Sequence, residues 1–257
     1  MTYTLSFRRS RIAAAALFIA TLAPISNAFA ASAAPAPGTK PVEVTAQDVA
    51  ASNKKIAMAY SSLLSMWTND FRQIGERFDA PQIARYRGRA YTACGLIQPN
   101  NAEYCPEANT IYYDDVFVAG MAKLAATSLG TDGDMTAVGI IAHEMGHAVA
   151  MQLGHESRSS YTNESTADCL AGAFAQQAQR DGELEKGDVD EAFFGMSLAG
   201  DPTPQPTGNE RYDAMIQARL ARESHGTKDQ RMQNFRDGLD GGAKACLSDF
   251  GGPTRYR

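Results

Sequence analysis

The chain has 257 residues, 44% of them hydrophobic, with 29 acidic and 24 basic side chains and a net charge of −5. That length and apolar content suit one sizeable core. An acidic chain with scattered Lys and Arg, and no basic run interleaved with aromatics, argues against nucleic acid or an anionic membrane surface as a partner.

The first thirty residues read as a signal peptide. Arg8, Arg9 and Arg11 precede an apolar run over 12–25, and Ala28-Phe29-Ala30 supplies a small-x-small cleavage pattern. The run falls short of the roughly twenty apolar residues that span a bilayer, and Pro24 interrupts it. Export to the periplasm or beyond is expected, by the general or the twin-arginine route. The alternative is an uncleaved segment that anchors the chain to the membrane. Cleavage removes three basic and no acidic residues, which shifts the net charge from −5 to −8. Residues 31–45, rich in Ala, Pro and Thr, predict a flexible linker. Residues 46–257 then form a single domain.

From 45 or 47 to 78, Val49, Ile56, Leu63, Trp67, Phe71 and Ile74 recur at mostly helical spacing. One long scaffold helix is expected, ended by Pro81. Residues 83–93 and 110–117 predict strands. The second, around Ile111-Tyr112-Tyr113-Asp114, is either an ordinary sheet strand or an edge strand that an extended peptide joins by β-augmentation.

Residues 136–153 predict an apolar helix with Gly154 as its stop and Asp132 or Asp134 as its cap. It carries His143-Glu144-Met145-Gly146-His147. Two imidazoles four residues apart stack on one helix face and reach a single ion, while the Glu between them stands near that ion without ligating it. This is the H-E-x-x-H arrangement of zinc peptidases. A catalytic zinc needs a third protein ligand and an open position. Glu164 is the leading candidate, at the start of a second predicted helix through Phe174, with Glu156 and Asp168 as fallbacks. Asp168 shares a face with Glu164 and suits the second ring N–H of a ligand His.

Residues 188–199 predict a helix, 200–209 a Pro-rich loop, and 211–222 and 228–239 two further helices. The four cysteines fit an oxidising compartment and allow three pairings. Cys94–Cys105 with Cys169–Cys246 is favoured. The first pair closes a short loop, and the second ties the C-terminal region to the helix of Glu164.

Several segments in collinear order resemble the putative neutral zinc metallopeptidases of bacteria. They begin at Trp67 and Phe71 and run through Thr92-Ala93-Cys94-Gly95, Tyr104-Cys105-Pro106 and Ile111-Tyr112-Tyr113-Asp114. The metal motif follows, then Ala167-Asp168-Cys169, Gly187-Asp188 with Glu191-Ala192, His225-Gly226-Thr227 with Gln230-Arg231, and Cys246 near Phe250. The stretch 201–224 is longer than the family pattern, and Ser224 stands where an aromatic is expected. The resemblance implies an α+β, mostly helical zincin-like domain with a small β-sheet beside the motif helix. One Zn2+ is implied on His143, His147 and Glu164, with Glu144 as catalytic base and a protein or peptide as substrate. His225 is expected either as the oxyanion donor or in a structural role, capping a helix or bonding a ligand carboxylate, and Tyr161 is a weaker donor. The competing functions are a zinc-binding scaffold that does not cut, and a metal-dependent amidohydrolase acting on cell-wall peptides.

Overall fold

Thr45 and Asp48 begin the first helix by reciprocal capping, each side chain accepting the other's backbone N–H. In the computed structural model, which describes residues 42–247, helix α1 spans Ala46–Gln73. The signal-peptide expectation and most of the linker lie outside the described residues. Helix α1 buries Val49, Ile56, Leu63, Trp67 and Phe71 along one stripe. It ends earlier than Pro81 implies, because Gly75 takes the left-handed conformation (φ 79°) and turns the chain.

The sheet is small and its topology differs from expectation. The strand predicted over 83–93 divides into β1 (Gln82–Tyr86) and β2 (Ala90–Thr92), with Gly88 turning between them at φ 73°. Strand β2 forms a separate antiparallel hairpin with β3 (Gly95–Ile97). Strand β4 (Ala102–Cys105) runs antiparallel to β5 (Thr110–Asp114), which in turn pairs parallel with β1. The order β1-β5-β4 puts β5 in the centre, so it is no edge strand. The edges are β1 and β4, and β4 is the one packed on the motif helix. Strand β5 also stops before 117, because the Asp114 carboxylate accepts the Val116 and Phe117 N–H groups and opens helix α2 (Asp115–Leu129). The sequence reading missed α2.

Helix α3 (Asp134–Gln152) is the hub. It is apolar on every side, and packs against α1, α2, β4, α4 (Ser160–Asp181) and α5 (Asp188–Leu198). Gly146 permits the α3–α4 approach: a Cβ there would lie 2.8 Å from the Ala167 carbonyl oxygen. Helix α4 meets α7 (Lys228–Gly241) as closely, at Gly172 and Gly238. Helix α6 (Glu210–Glu223) buries none of its side chains. The short α8 (Ala243–Cys246) is tied to α4 by Cys169–Cys246, and Cys94–Cys105 ties the β2–β3 tip to the end of β4. This is the favoured pairing. Among the described residues no helix is long and apolar enough to cross a membrane. The fold is the mostly helical α+β, zincin-like arrangement expected, with the three-stranded sheet beside α3.

Candidate metal centre

The start of α3 is fixed from a distance. Its Gly133 and Met135 N–H groups donate to the two Glu191 carboxylate oxygens, at 2.9 and 2.8 Å. Asp132 and Asp134, expected as caps, instead pair with Lys55. The buried Glu191 carboxylate sits where the helix dipole is positive, and two backbone donors that lack intrahelical partners are satisfied.

Two turns on, His143 is fully buried while the His147 side chain keeps 18% of its surface exposed. Their Nε2 atoms are 3.1 Å apart. Glu164, in the second turn of α4, brings Oε2 to 3.2 Å from His143 Nε2 and Oε1 to 3.5 Å from His147 Nε2. Tetrahedral zinc with ligand distances of about 2.0–2.2 Å holds its donors roughly 3.3–3.5 Å apart. The three side chains therefore fit one zinc ion, and the exposed side of His147 leaves an approach for a fourth group.

Behind this trio lies a buried ionic relay. His143 Nδ1 is 2.8 Å from Asp168 Oδ1, the arrangement that fixes tautomer and ring orientation in a ligand His. Asp168 is itself gripped by Arg231, whose Nε donates to Oδ2 at 2.9 Å and whose Nη2 donates to Oδ1. Arg231 Nη1 donates to the Ala199 carbonyl at 3.1 Å, and Nη2 stands 3.9 Å from Glu164 Oε2. The guanidinium is fully buried. The sequence contained its signal. Arg231, Phe235 and Gly238 are the buried residues of α7 and share one helical stripe, so the arginine points into the core.

The protonation pattern follows from burial among carboxylates. Burial opposes charge on both imidazoles, yet the Asp168 and Glu164 hydrogen bonds raise His143 to about 9. For His147 burial prevails and the pKa falls to about 4. Glu164 stays ionised against its burial because His147, His143 and Arg231 favour the charge, and Asp168 does so through Arg231 and His143. A metal here takes the place of the proton that the carboxylates otherwise hold on His143.

Glu144 points into a cavity beside the centre that is also lined by Tyr104, His147 and Glu164. The Tyr104 N–H on β4 donates to Glu144 Oε2 at 2.8 Å, while Oε1 is buried with no hydrogen-bond partner among the described residues. Burial raises this carboxyl to about 7. The position suits a general base working near neutral pH.

His225 is placed differently. It lies between α6 and α7, with its N–H on Asp201 Oδ2 at 2.8 Å and Nδ1 3.8 Å from Asp201 Oδ1. Neither His225 nor Tyr161 is among the residues lining the cavity. Both stand close to the buried arginine: a Cβ on Gly226, next to His225, would lie 3.2 Å from Tyr161 Cε2 and 3.5 Å from Arg231 Cγ. Residues brought together are therefore His143, Glu144, His147, Glu164 and Asp168, with Arg231 and the Tyr104 backbone added by the structure.

The family described as "Putative neutral zinc metallopeptidase" matches residues 14–250. The match begins inside the segment read as a signal peptide. Two curated relatives, both described as "Uncharacterized protein YpfJ" and from Escherichia coli strains K12 and O6:H1, are 34% identical over 203 residues. The matched region covers 72% of this chain and 67% of each relative. No solved structure matches this one.

Proposed function

The chain belongs to the putative neutral zinc metallopeptidase family, and from that premise we propose that it is an exported zinc-dependent endopeptidase. The observation that carries the reading is the meeting of three donors 3.1–3.5 Å apart with a buried, elevated carboxyl on the same helix. His143, His147 and Glu164 hold the metal. When bound, zinc supplies a Lewis acid and lowers the pKa of water to about 7.

The chain's own residues do the rest. Glu144 takes a proton from the attacking water through Oε1 and later delivers it to the leaving amine, while the Tyr104 N–H holds Oε2 in place. Asp168 holds the His143 ring, and Arg231 holds Asp168. Strand β4 is the outer strand facing α3, so an extended substrate lies along β4 rather than β5. No step is placed on His225.

Purified chain, metal-loaded and assayed on denatured protein and on peptidoglycan, tests the reading. One zinc per chain is expected, with peptide-bond cleavage that Glu144→Gln abolishes without releasing the metal. Zinc binding with no cleavage of protein would favour the scaffold, and release of cell-wall peptides alone would favour the amidohydrolase.

A further inference from the structure

The cavity beside the metal centre has an unbalanced wall. Its charged lining residues are Glu103, Glu144, Glu156 and Glu164, and neither Lys nor Arg lines it. The metal and its surroundings account for two of the four. Glu164 is a ligand in the reading above, and Glu144 is the base. Arg231, 3.9 Å from the Glu164 carboxylate, is committed to Asp168 beneath the ligands. Glu103 and Glu156 remain, one on the outer strand β4 and one in the turn between α3 and α4. They line the same cavity as Glu144.

The wider surroundings have the same sign. Burial and then the nearby charges of Asp79, Glu156 and Glu107 push the Tyr104 phenol up to about 12. Burial and then Glu107 raise Glu103 to about 7. A substrate placed along β4 therefore runs past an acidic wall immediately beside the group that attacks it.

We propose that Glu103 and Glu156 are specificity residues that select peptides with a Lys or Arg side chain next to the bond to be cut. A cationic side chain entering the cavity meets Glu156 and favours the ionised form of Glu103 beside it, whereas an acidic one adds to the like-charge crowding. The inference rests on the peptidase reading for its substrate, and on the lining residues alone for its charge preference.

Binding tests it apart from turnover. Zinc-loaded Glu144→Gln chain is titrated with fluorescent alanine-based octapeptides carrying Lys, Gln or Glu at each position in turn. At the best position Lys should bind about tenfold more tightly than Glu in low salt, the order expected of two partly solvated charge pairs. Raising the salt should shrink that ratio. Adding Glu103→Gln and Glu156→Gln should compress it to about threefold or less, and Glu156→Lys should favour the Glu peptide. Asp181→Asn removes one charge at the far end of α4, about 25 Å from Glu164, and should leave the ranking intact.

Equal affinity for Lys and Glu peptides overturns the inference, as does a Lys preference that survives loss of both carboxylates. The unmutated chain, incubated with the same peptides, separates this failure from that of the peptidase reading. Cleavage without a Lys preference sinks the specificity alone. Lys-selective binding without cleavage sinks the peptidase and supports the acidic wall. Neither binding nor cleavage sinks both.

Discussion

Helices α3 and α6 stand at opposite ends of the fold's hierarchy. Helix α3 has fifteen buried residues and carries His143, His147 and Glu144, to which the proposed function assigns the metal and the proton transfer. Helix α6 has none buried, and leaves Tyr212 and Met215 more than half exposed. The difference shows where this chain can change. Around α3 the side chains of Thr136, His143 and Glu144 are committed to partners on other elements, so one substitution leaves several groups unpaired. Along α6 a substitution meets mainly water.

The largest effects should come from the ligands. Glu164→Ala and His147→Ala should weaken zinc binding beyond the roughly 10- to 100-fold typical of groups that support a ligand from behind. Zinc titration by competition with a chelator measures this. A Glu164→Ala chain with parental affinity would move the third ligand to Glu156 or Asp168. Next in size is Arg231→Met, which strands Asp168 as a buried charge and should cost about 3–5 kcal/mol. Pairing it with Asp168→Asn should recover much of that stability but not the zinc affinity, because the His143 ring is then held by a neutral group. If Arg231→Met costs no more than a surface change, the relay does not hold the core together.

What was legible in the sequence divides along the same line. The α3 helix and the meeting of its two imidazoles with Glu164 and Asp168 were readable because their spacing is local: four residues between imidazoles, four between Glu164 and Asp168. Helix α2 was missed because Thr110 to Phe117 reads as one β-rich run, and the break at Asp114 depends on a carboxylate that also accepts the Gly88 and Asn100 N–H groups from distant turns. The cap of α3 was assigned to adjacent aspartates, but a glutamate 56 to 58 residues away supplies it. Arg231 was quoted within a motif and given no role, although its stripe with Phe235 marked it as buried. Non-local pairings of charge escape any reading that works along the chain.

A middle-sized effect probes the anchoring of α4. Cys246→Ser opens the bridge to Cys169, five residues beyond Glu164, and should cost about 2–5 kcal/mol. Zinc retention should fall with the melting temperature, since the ligand helix loses its tie to α8. An unchanged melting temperature would show that α4 is held by its α3 and α7 contacts alone.

The pH dependence of Glu144 gives a smaller effect of definite sign. Its folded pKa of about 7 exceeds the ordinary 4.5, so its contribution to stability is complete below pH 4.5 and is lost as pH rises through 7. In metal-free protein Glu144→Gln should therefore be more stable than the parent at pH 8, by about 1–3 kcal/mol, and nearly equal to it at pH 4.5. Denaturant unfolding at both pH values tests the difference, in which titrations common to the two proteins cancel. A parent more stable than the variant at pH 8 would mean that the ionised carboxylate is welcome in the metal-free site.

The smallest effect is expected on α6. Asn209 caps its start by accepting the Tyr212 N–H at 3.2 Å, and Ser159 Oγ donates to the Ala221 carbonyl at 2.9 Å near its end. Between those points Tyr212 is 54% and Met215 62% exposed, so replacing both by Ser removes little buried area. The double variant should change stability by no more than about 0.5 kcal/mol. Amide exchange should agree: α6 opens locally at low free energy, whereas the middle of α3 exchanges only when the domain unfolds. A loss above about 1.5 kcal/mol, or protection of α6 equal to that of α3, would mean that this face is covered in solution, and the contrast between the two helices would fail.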